Sequence, residues 1–266
     1  MSQTGQIAPY VNPDLVQLEA LPVPVVAYAR DLSPGERIPR HSHRRAQLVH
    51  ASTGVMTVTT ASGAFVVPPH RAVWMPAGVE HRIDAHGVVA MRTVYVATSV
   101  AAPLPAEVCV LQVTALLREL ILAAVAAPTD YAPASATDRL MAVLLDQITA
   151  LPVAPLALPM PRERRLARIV AALMADPADR RTLDDWARVS GASARTLARL
   201  FRTETGMTFG HWRQQRRLLR ALELLATGTP VTLVAVETGY DSASAFTAMF
   251  RRALGAVPGR YFADER

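Results

Sequence analysis

The spacing of hydrophobic positions divides the chain into a strand-rich part followed by a helical part. Through residues 20–100, short runs of alternating apolar and polar residues recur, separated by Gly, Pro and Ser. The stretch GVMTVTTASGAFVVP alternates on both sides of Ser62-Gly63, which predicts a hairpin. Many short strands with evenly spaced turns predict a sandwich or barrel. The predicted strands are 23–29, 46–51, 55–59, 64–67, 72–75 and 88–96.

After residue 106 the apolar residues are spaced as on a helix. The segments EVCVLQVTALLRELILAAVAA and TDRLMAVLLDQITAL predict helices over 107–126 and 137–150. Two interpretations stay open: the helices pack on the barrel and on each other, or the first forms a two-fold dimer interface. The second is favoured, because so apolar a helix must be covered. The leucine-rich positions are Leu111, Leu116, Leu117, Leu120, Ile121, Leu140, Leu144 and Leu145.

A proline-rich segment, LPVAPLALPMP, separates these helices from the rest of the chain. Proline does not fit inside helices or central strands, so we predict a semi-rigid linker and a domain boundary. The expected organisation is a barrel over 1–103, a helical segment over 104–150, a linker over 151–161 and an all-helical domain over 162–266.

Charge is unevenly distributed along the chain. All 28 basic residues other than histidine are arginine. Residues 1–161 carry 10 Arg and 11 acidic residues, whereas residues 162–266 carry 18 Arg and 11 acidic residues. A basic C-terminal half indicates an anionic partner, and nucleic acid is the leading one, because arginine displaces counterions from phosphates.

Other composition features exclude several classes of protein. No window reaches the eighteen or so apolar residues of a membrane span, and the N-terminus lacks the basic start and apolar run of a secretory signal. The single cysteine, Cys109, excludes a disulfide framework within the chain, and its apolar neighbours predict a buried thiol. We therefore expect a cytoplasmic protein with no membrane partner.

The segment RTLDDWARVSGASARTLARLFRTETGMTF predicts a helix-turn-helix motif. Thr182 with Asp185 forms a capping box, Ser190-Gly191-Ala192 forms the turn, and Ser193 caps a second helix. The predicted buried faces are Leu183, Trp186, Ala187 and Val189 on the first helix, and Leu197, Leu200 and Phe201 on the second. In such motifs the second helix enters the major groove. Its candidate DNA-contacting residues are Ser193, Ala194, Arg195, Thr196, Arg199 and Arg202.

The pattern recurs in TPVTLVAVETGYDSASAFTAMFRRALG. A short helix over 231–238 is followed by a turn and by a helix capped at Asp241 or Ser242, with Phe246, Met249 and Phe250 buried. The candidate DNA contacts here are Ser242, Ala243, Ser244, Thr247 and Arg251. A helix over 211–226 joins the two motifs, and its arginines are expected either to meet phosphates or to pair with acids: Arg213, Arg216, Arg217 and Arg220.

Residues 164–262 resemble the AraC/XylS family of transcription regulators. The resemblance rests on LARLFRTETGMTF, RRLLRALELL and VAVETGYDSASAFTAMFRRALGAVPGRYF, which ends in the family's Gly-x-x-Pro-x-x-Tyr pattern. It implies a double helix-turn-helix domain that binds double-stranded DNA, and contact with RNA polymerase if the protein is an activator. Activation and repression stay open. The small Ala243 and Ala245 predict fewer base contacts from the second recognition helix.

The N-terminal part resembles the cupin barrels. Gly35-x5-His41-x-His43-x3-Gln47-x6-Gly54 is similar to their first motif, with Gln47 where Glu is usual, and Pro76-x-Gly78-x2-His81 is similar to the second. His-x-His on one strand places both imidazoles on the same face. His41, His43 and His81 are therefore candidate ligands of Zn, Ni, Fe or Cu, with Gln47 as a neutral oxygen donor. Metal binding and a purely hydrogen-bonding role both stay open.

The stretch VPPHRAVWMPAGVEH resembles the NimR-like branch of the same family, which implies control of a neighbouring transporter gene. The favoured function is a non-enzymatic regulator that binds DNA as a homodimer and senses a small molecule or a metal ion. The alternatives are a cupin-type metal-dependent enzyme with an appended DNA-binding domain, and a protein-interaction module. Gln47 is a poor general base, which disfavours the enzyme.

Overall fold

The computed structural model describes residues 13–149, 153–154 and 157–261. The chain forms two compact units, Met1–Ala61 with Val67–Pro155 and Ser62–Val66 with Leu156–Arg266. Within the described ranges, no helix has both the length and the apolar character needed to cross a bilayer. In chain order the elements are α1 (Pro13–Ala20), β1 (Val25–Leu32), β2 (Arg37–His41), β3 (Ala46–Thr60), β4 (Gly63–Val67), β5 (Arg71–Met75), β6 (His81–Val96), a 3-10 turn (Thr98–Val100), β7 (Cys109–Gln112), α2 (Ala115–Ala126), α3 (Ala136–Thr149), β8 (Val153–Ala154), β9 (Ala157–Pro159), α4 (Arg164–Ala175), α5 (Leu183–Ser190), α6 (Ala194–Thr205), α7 (Phe209–Ala226), α8 (Val231–Glu237), α9 (Ala243–Leu254) and α10 (Pro258–Tyr261).

The N-terminal unit is built on an antiparallel sheet, which confirms the predicted β domain. Its strands follow the order β1-β6-β3-β5-β7-β8, and β2 also pairs with β6. The β6 strand changes partners along its length: Ile83 and Asp84 face β2, whereas residues 89–96 face β1. The pattern predicted β3 as two strands and did not predict β2.

The long pairing of β3 with β6 shifts register around Gly54. Gly54 has φ +77°, and a Cβ atom there would lie 2.2 Å from the carbonyl oxygen of Val88. Only glycine accommodates both the left-handed backbone and so close an approach. With this irregularity, β3 pairs with β6 on both sides of Gly54 as one long strand.

The helix predicted over 107–126 is wrong for its first part. Cys109–Gln112 forms β7, which pairs with β5, and α2 begins only after Thr114, whose hydroxyl accepts from the Leu117 N–H at 3.2 Å. A short apolar run does not distinguish a buried strand from a buried helix, and the capping threonine marks where the helix starts. Cys109 is half-buried rather than buried.

The apolar faces of α2 and α3 pack against the sheet. Leu117, Ile121 and Leu144 have no exposed surface and join the core formed with β1, β5 and β6. The apolar face of α2 is therefore buried by contacts within the chain. Leu116 and Val143, by contrast, stay 55% and 44% exposed.

The proline-rich segment contains two short strands where we predicted a linker. β8 pairs with β7, and β9 pairs with β4, while residues 151–152 and 155–156 of the segment lie outside the described residues. Pro159 ends β9, a place where the missing N–H removes little pairing. Its carbonyl oxygen accepts a 2.8 Å hydrogen bond from Trp212 Nε1, so this end of the segment is fixed to α7.

The C-terminal unit contains the two predicted helix pairs, α5–α6 and α8–α9. The capping box of Thr182 and Asp185 is present, Ser193 caps α6, and Ser242 caps α9. The joining helix α7 begins at Phe209, two residues before the predicted start, because Thr208 is its cap. The predicted buried faces of α6 and α9 are confirmed, since these side chains have no exposed surface: Leu197, Phe201, Phe246 and Phe250. On α5, Trp186 is buried, whereas Leu183 and Ala187 are half-buried. Val189 was predicted to be buried but is 62% exposed.

Candidate metal centre and nucleic-acid interface

Three predicted histidines lie together in the N-terminal unit. His41 ends β2 and pairs in register with His81, the first residue of β6, while His43 follows two residues after His41. The centroid of the His41 ring lies 4.3 Å from that of the His81 ring and 4.8 Å from that of the His43 ring. The His43 and His81 ring centroids are 5.3 Å apart. One ring nitrogen from each residue lies within 4.8 Å of the others.

The ring nitrogens of this cluster have complementary roles. His41 Nδ1 lies 2.7 Å from the carbonyl oxygen of Pro39, and His81 Nδ1 lies 3.0 Å from that of Val79. A carbonyl only accepts, so each Nδ1 carries the proton and each Nε2 presents a lone pair. The Nε2 atoms of His43 and His81 are buried without a hydrogen-bond partner. Buried orphan acceptors are uncommon and call for a ligand or another explanation.

Burial keeps these imidazoles neutral. It lowers the pKa of His43 to about 3, with further lowering by the neighbouring His41 and His81, and it lowers the pKa of His81 to about 4. Burial also lowers the pKa of His41. Neutral imidazole is the form that binds a metal, so the cluster needs to release no proton from these rings at neutral pH.

Glu19 on α1 belongs to the same centre and was not predicted. Its Oε1 lies 3.2 Å from His43 Nδ1 and accepts a 3.1 Å hydrogen bond from the Arg44 N–H. With His43 neutral, its Nδ1–H donates to the carboxylate and directs Nε2 toward the other two rings. Carboxylates that hold a ligating histidine in this way are common at metal sites. No local sequence signal connects a helix at 13–20 with a histidine at 43.

Gln47 is a buried residue of β3 that is linked to the histidine cluster through Tyr95. Its amide nitrogen donates to Thr93 Oγ1 and Tyr95 Oη, both at 3.0 Å, and its Oε1 is buried without a partner. The Tyr95 ring is 5.0 Å from the His43 ring, which connects Gln47 to the cluster. Two histidines outside the cluster have hydrogen-bond partners within the fold: His50 is fully buried and bonded to the Arg71 carbonyl, and His86 is bonded to Thr57.

The donor set fits a transition metal. Two nitrogens that each lie about 2.0–2.1 Å from a tetrahedral Zn²⁺ are roughly 3.4 Å apart. The ring nitrogens, which lie within 4.8 Å of one another, would therefore move closer together on binding. Three neutral imidazoles suit Zn, Ni, Fe or Cu, and they leave coordination positions open.

The predicted DNA-reading face of α6 is exposed and basic. Arg195, Arg199 and Arg202 are exposed, and among the described residues none of them pairs with a carboxylate. Thr196 is half-buried, and its hydroxyl lies 3.0 Å from Ser193 Oγ. Ser193 also accepts from the Thr196 N–H at 3.2 Å, so its first role is to cap the helix.

The predicted face of α9 carries smaller side chains. Ser244 and Arg251 are exposed, whereas Ala243 and Thr247 are half-buried. Ser242 accepts from the Ala245 N–H at 3.1 Å and caps the helix. The 18 residues of α7 join the two motifs and extend about 27 Å at 1.5 Å per residue.

The arginines of α7 divide into two kinds. Arg216 and Arg220 lie within salt-bridge distance of Glu223, which fits the predicted pairing with acids. Arg213 and Arg217 donate instead to backbone carbonyl oxygens, those of Arg181, Pro177 and Asp179.

Comparison with known proteins agrees with this architecture. Residues 186–264 match the helix-turn-helix domain family, and residues 23–175 match the AraC-like ligand binding domain family. The fold and the two matches define a DNA-binding transcription regulator with a ligand-binding domain. The chain belongs to the AraC family of these regulators, as its resemblance indicated.

One relative supports the same assignment over most of the chain, and other matches are partial or distant. The chain is 38% identical over 225 residues to the HTH-type transcriptional regulator NimR of Escherichia coli, covering 85% of this chain and 82% of that protein. It is 37% identical over 103 residues to the HTH-type transcriptional regulator RipA of Corynebacterium glutamicum, covering 39% of this chain and 31% of that protein. The structure of ToxT from Vibrio cholerae aligns with 91% of this chain and 98% of its own, at 9% identity and a TM-score of 0.39.

Proposed function

We propose that this regulator senses a transition metal ion, held by His41, His43 and His81 with Gln47 as a neutral oxygen donor. The observation that carries the proposal is the pair of buried Nε2 atoms of His43 and His81, which lack a hydrogen-bond partner and lie in one cluster with His41. A metal would give these lone pairs their missing partner, and Zn, Ni, Fe and Cu all suit the donor set. Metal binding would then select among DNA-binding states that already exist.

The chain's own groups would prepare this centre. Glu19 holds the His43 ring, and the carbonyls of Pro39 and Val79 hold those of His41 and His81. Rings fixed before binding lose less conformational freedom when a metal arrives. NimR and RipA are transcriptional regulators by name, and they lend no support to the enzyme alternative.

We further propose that α6 reads bases in the major groove and that α9 occupies a second groove. Arg195, the second residue of α6, would donate to guanine O6 and N7, and Thr196 would contact a thymine methyl. A homodimer remains a prediction, to which exposed Leu116 and Val143 offer a surface. Contact with RNA polymerase and control of a transporter gene also remain predictions.

Elemental analysis of the full-length protein tests the metal proposal. Metal-free protein is incubated separately with Zn²⁺, Ni²⁺, Fe²⁺ and Cu²⁺, freed of excess ion and measured for bound metal per chain. We expect about one ion per wild-type chain, and loss of binding when His41→Ala and His43→Ala are combined. The His211→Ala variant, which removes an exposed histidine from the other unit, should bind like the wild type.

The Glu19→Gln variant makes this test sharper. Loss of a carboxylate that orients a ligating histidine typically weakens metal affinity about 10–100-fold. The double histidine variant should still bind DNA in its metal-free form, because its substitutions lie outside the helix-turn-helix domain. Wild-type protein that takes up none of the four metals would eliminate the proposal.

A further inference from the structure

An open cleft lies between α7 and α9, inside the C-terminal unit. Its volume is about 480 Å³. We call it the arginine cleft, after the residues that define its lining: Arg213, Arg217 and Arg252 with Tyr240, Ala245 and Ala248. It shares no residue with the histidine cluster, and it contains Arg213 and Arg217, for which the sequence left phosphate contact and pairing with acids open.

The three arginines of the cleft lack carboxylate partners among the described residues. Arg213 donates to the Arg181 carbonyl at 3.0 Å, and Arg217 donates to those of Pro177 and Asp179 at 3.0 and 3.3 Å. Arg252 is exposed and forms no ion pair within the same ranges. Carbonyl oxygens orient a guanidinium but leave its charge uncompensated.

Asp176, Asp179 and Asp241 lie around the cleft, and each has another partner. Asp176 accepts from the Ala178 N–H, while its charge also acts on Arg217. Asp179 pairs with Arg181, and Asp241 pairs with Arg180 at 2.6 Å. Arg217 is half-buried, and its pKa is lowered by burial and by the adjacent charge of Arg213. Like charges held together in a partly desolvated cleft destabilise one another, so an anion bound there would be strongly favoured.

Small residues keep the cleft open. Ala245 and Ala248 occupy the places on α9 that Thr196 and Arg199 occupy on α6. The larger side chains that α6 carries at these positions are therefore absent from α9. The space that they would fill is part of the cleft.

Gly239 brings the turn before α9 close to Arg217. It has φ +77°, and a Cβ atom there would lie 2.7 Å from Arg217 Nη2. Tyr240, the next residue, lies beside the same guanidinium, whose central carbon is 5.7 Å from the ring. The cleft thus combines fixed cations with a phenol at its edge.

We propose that the arginine cleft binds a phosphate group, and that in the DNA complex this group is a backbone phosphate beside α9. Arginine binds phosphate oxygens in pairs, which matches a cleft lined by three guanidinium groups. The inference rests on the DNA contact that we propose for α9. In this arrangement the second motif fixes the position of the protein on the duplex, while the first motif reads bases.

Two variants of the full-length protein test the cleft by different means. Arg252→Gln removes a charge, and Ala248→Leu fills the cleft without changing charge. The matched controls are Arg168→Gln on α4 and Ala253→Leu on α9, both at exposed positions outside the cleft. Binding to a fluorescent 24-base-pair duplex pool of random sequence is measured by anisotropy between about 50 and 200 mM salt, and circular dichroism checks folding.

We expect the DNA affinity of each cleft variant to depend less steeply on salt, by the amount that one phosphate contact contributes. The ratio of affinities at 50 and 200 mM salt should shrink about 3–4-fold relative to wild type, because the logarithmic slope falls by about 0.9 per contact. The two control variants should keep the wild-type slope. Equal losses in the controls, or an unchanged slope in both cleft variants, would overturn the DNA contact.

Calorimetric titration with inorganic pyrophosphate, without DNA, distinguishes a free ligand from the duplex. Pyrophosphate binding that disappears in Arg252→Gln, together with unchanged DNA slopes, would keep the phosphate site but replace its source with a free ligand. The absence of pyrophosphate binding together with unchanged DNA slopes would eliminate the site. If α9 does not contact DNA, the cleft variants will keep the wild-type salt dependence. The pyrophosphate titration will then still show whether the cleft binds phosphate.

Discussion

The two helix-turn-helix motifs share one scaffold but present different surfaces. Each residue of α6 corresponds to the residue 49 positions later on α9. The caps correspond, Ser193 with Ser242, and both helices have 12 residues and end at a glycine of positive φ. Phe201 and Phe250 correspond in the same way, and neither side chain has exposed surface.

The exposed positions differ where the buried ones agree. Arg195, Thr196 and Arg199 on α6 correspond to Ser244, Ala245 and Ala248 on α9, whereas Arg202 corresponds to another arginine, Arg251. Packing constrains the cap and the core of a helix-turn-helix motif, whereas its exposed residues can differ according to what they bind. We infer that one copy is specialised for base reading and the other for holding the DNA backbone.

The largest expected effect concerns the shared scaffold. Phe201→Ala and Phe250→Ala should each lower the free energy of unfolding of the C-terminal unit by about 3–5 kcal/mol, because each leaves a cavity among aromatic rings. Phe201 packs near Phe209 and Trp212, and Phe250 packs near Phe246 and Tyr261.

Urea unfolding followed by the fluorescence of Trp186 and Trp212 measures this cost. A shared Trp74→Phe background removes the signal of the other unit, since the chain has 3 tryptophans. A much smaller loss for Phe250→Ala would show that the two motifs are not stabilised alike.

The next effect concerns the surfaces. Arg195→Ala should weaken binding to the preferred sequence by about 1–3 kcal/mol and relax the preference at one base pair. Ser244→Ala, the corresponding change on α9, should alter binding by about 0.5 kcal/mol or less, as for most surface substitutions. DNA selected from a random pool, followed by titration, measures both. Uniform weakening on all sequences by Arg195→Ala would identify Arg195 as a phosphate contact instead.

The smallest effect concerns the caps, which are also candidate DNA contacts. Ser193→Ala and Ser242→Ala should each lower the free energy of unfolding by about 1 kcal/mol, because each removes the acceptor for a helix N–H. Asn is an equally good cap, so Ser193→Asn and Ser242→Asn should restore stability in the same unfolding assay. If Asn is as damaging as Ala, the hydroxyls serve a purpose other than capping.

The sequence predicted what depends on local pattern. Caps such as Thr182 and Ser193 lie next to the helices that they start, and the spacing of Leu197 and Phe201 is that of one helix face. The same logic failed at Cys109–Gln112, because a short apolar run fits a strand as well as a helix.

Contacts between distant segments were only partly predictable. The His-x-His spacing and the motif resemblance indicated that His41, His43 and His81 would meet, and the structure places them together. Glu19 gave no such signal, because its contact with His43 depends on how α1 lies against the sheet. The arginine cleft was equally hidden, since it arises from residues on α7, on α9 and in the turn between α8 and α9.

The β6 strand begins at His81 and nearly ends at Tyr95, yet both rings lie within 5.3 Å of the His43 ring. In a straight strand, residues this far apart in sequence would be separated by roughly 46 Å. Backbone curvature therefore assembles the centre. Between the two ends of β6 lie Gly87, with φ +75°, and the register shift opposite Gly54, where no side chain fits. Backbone positions outside the cluster, and not its imidazoles alone, thus belong to what sets the histidine geometry.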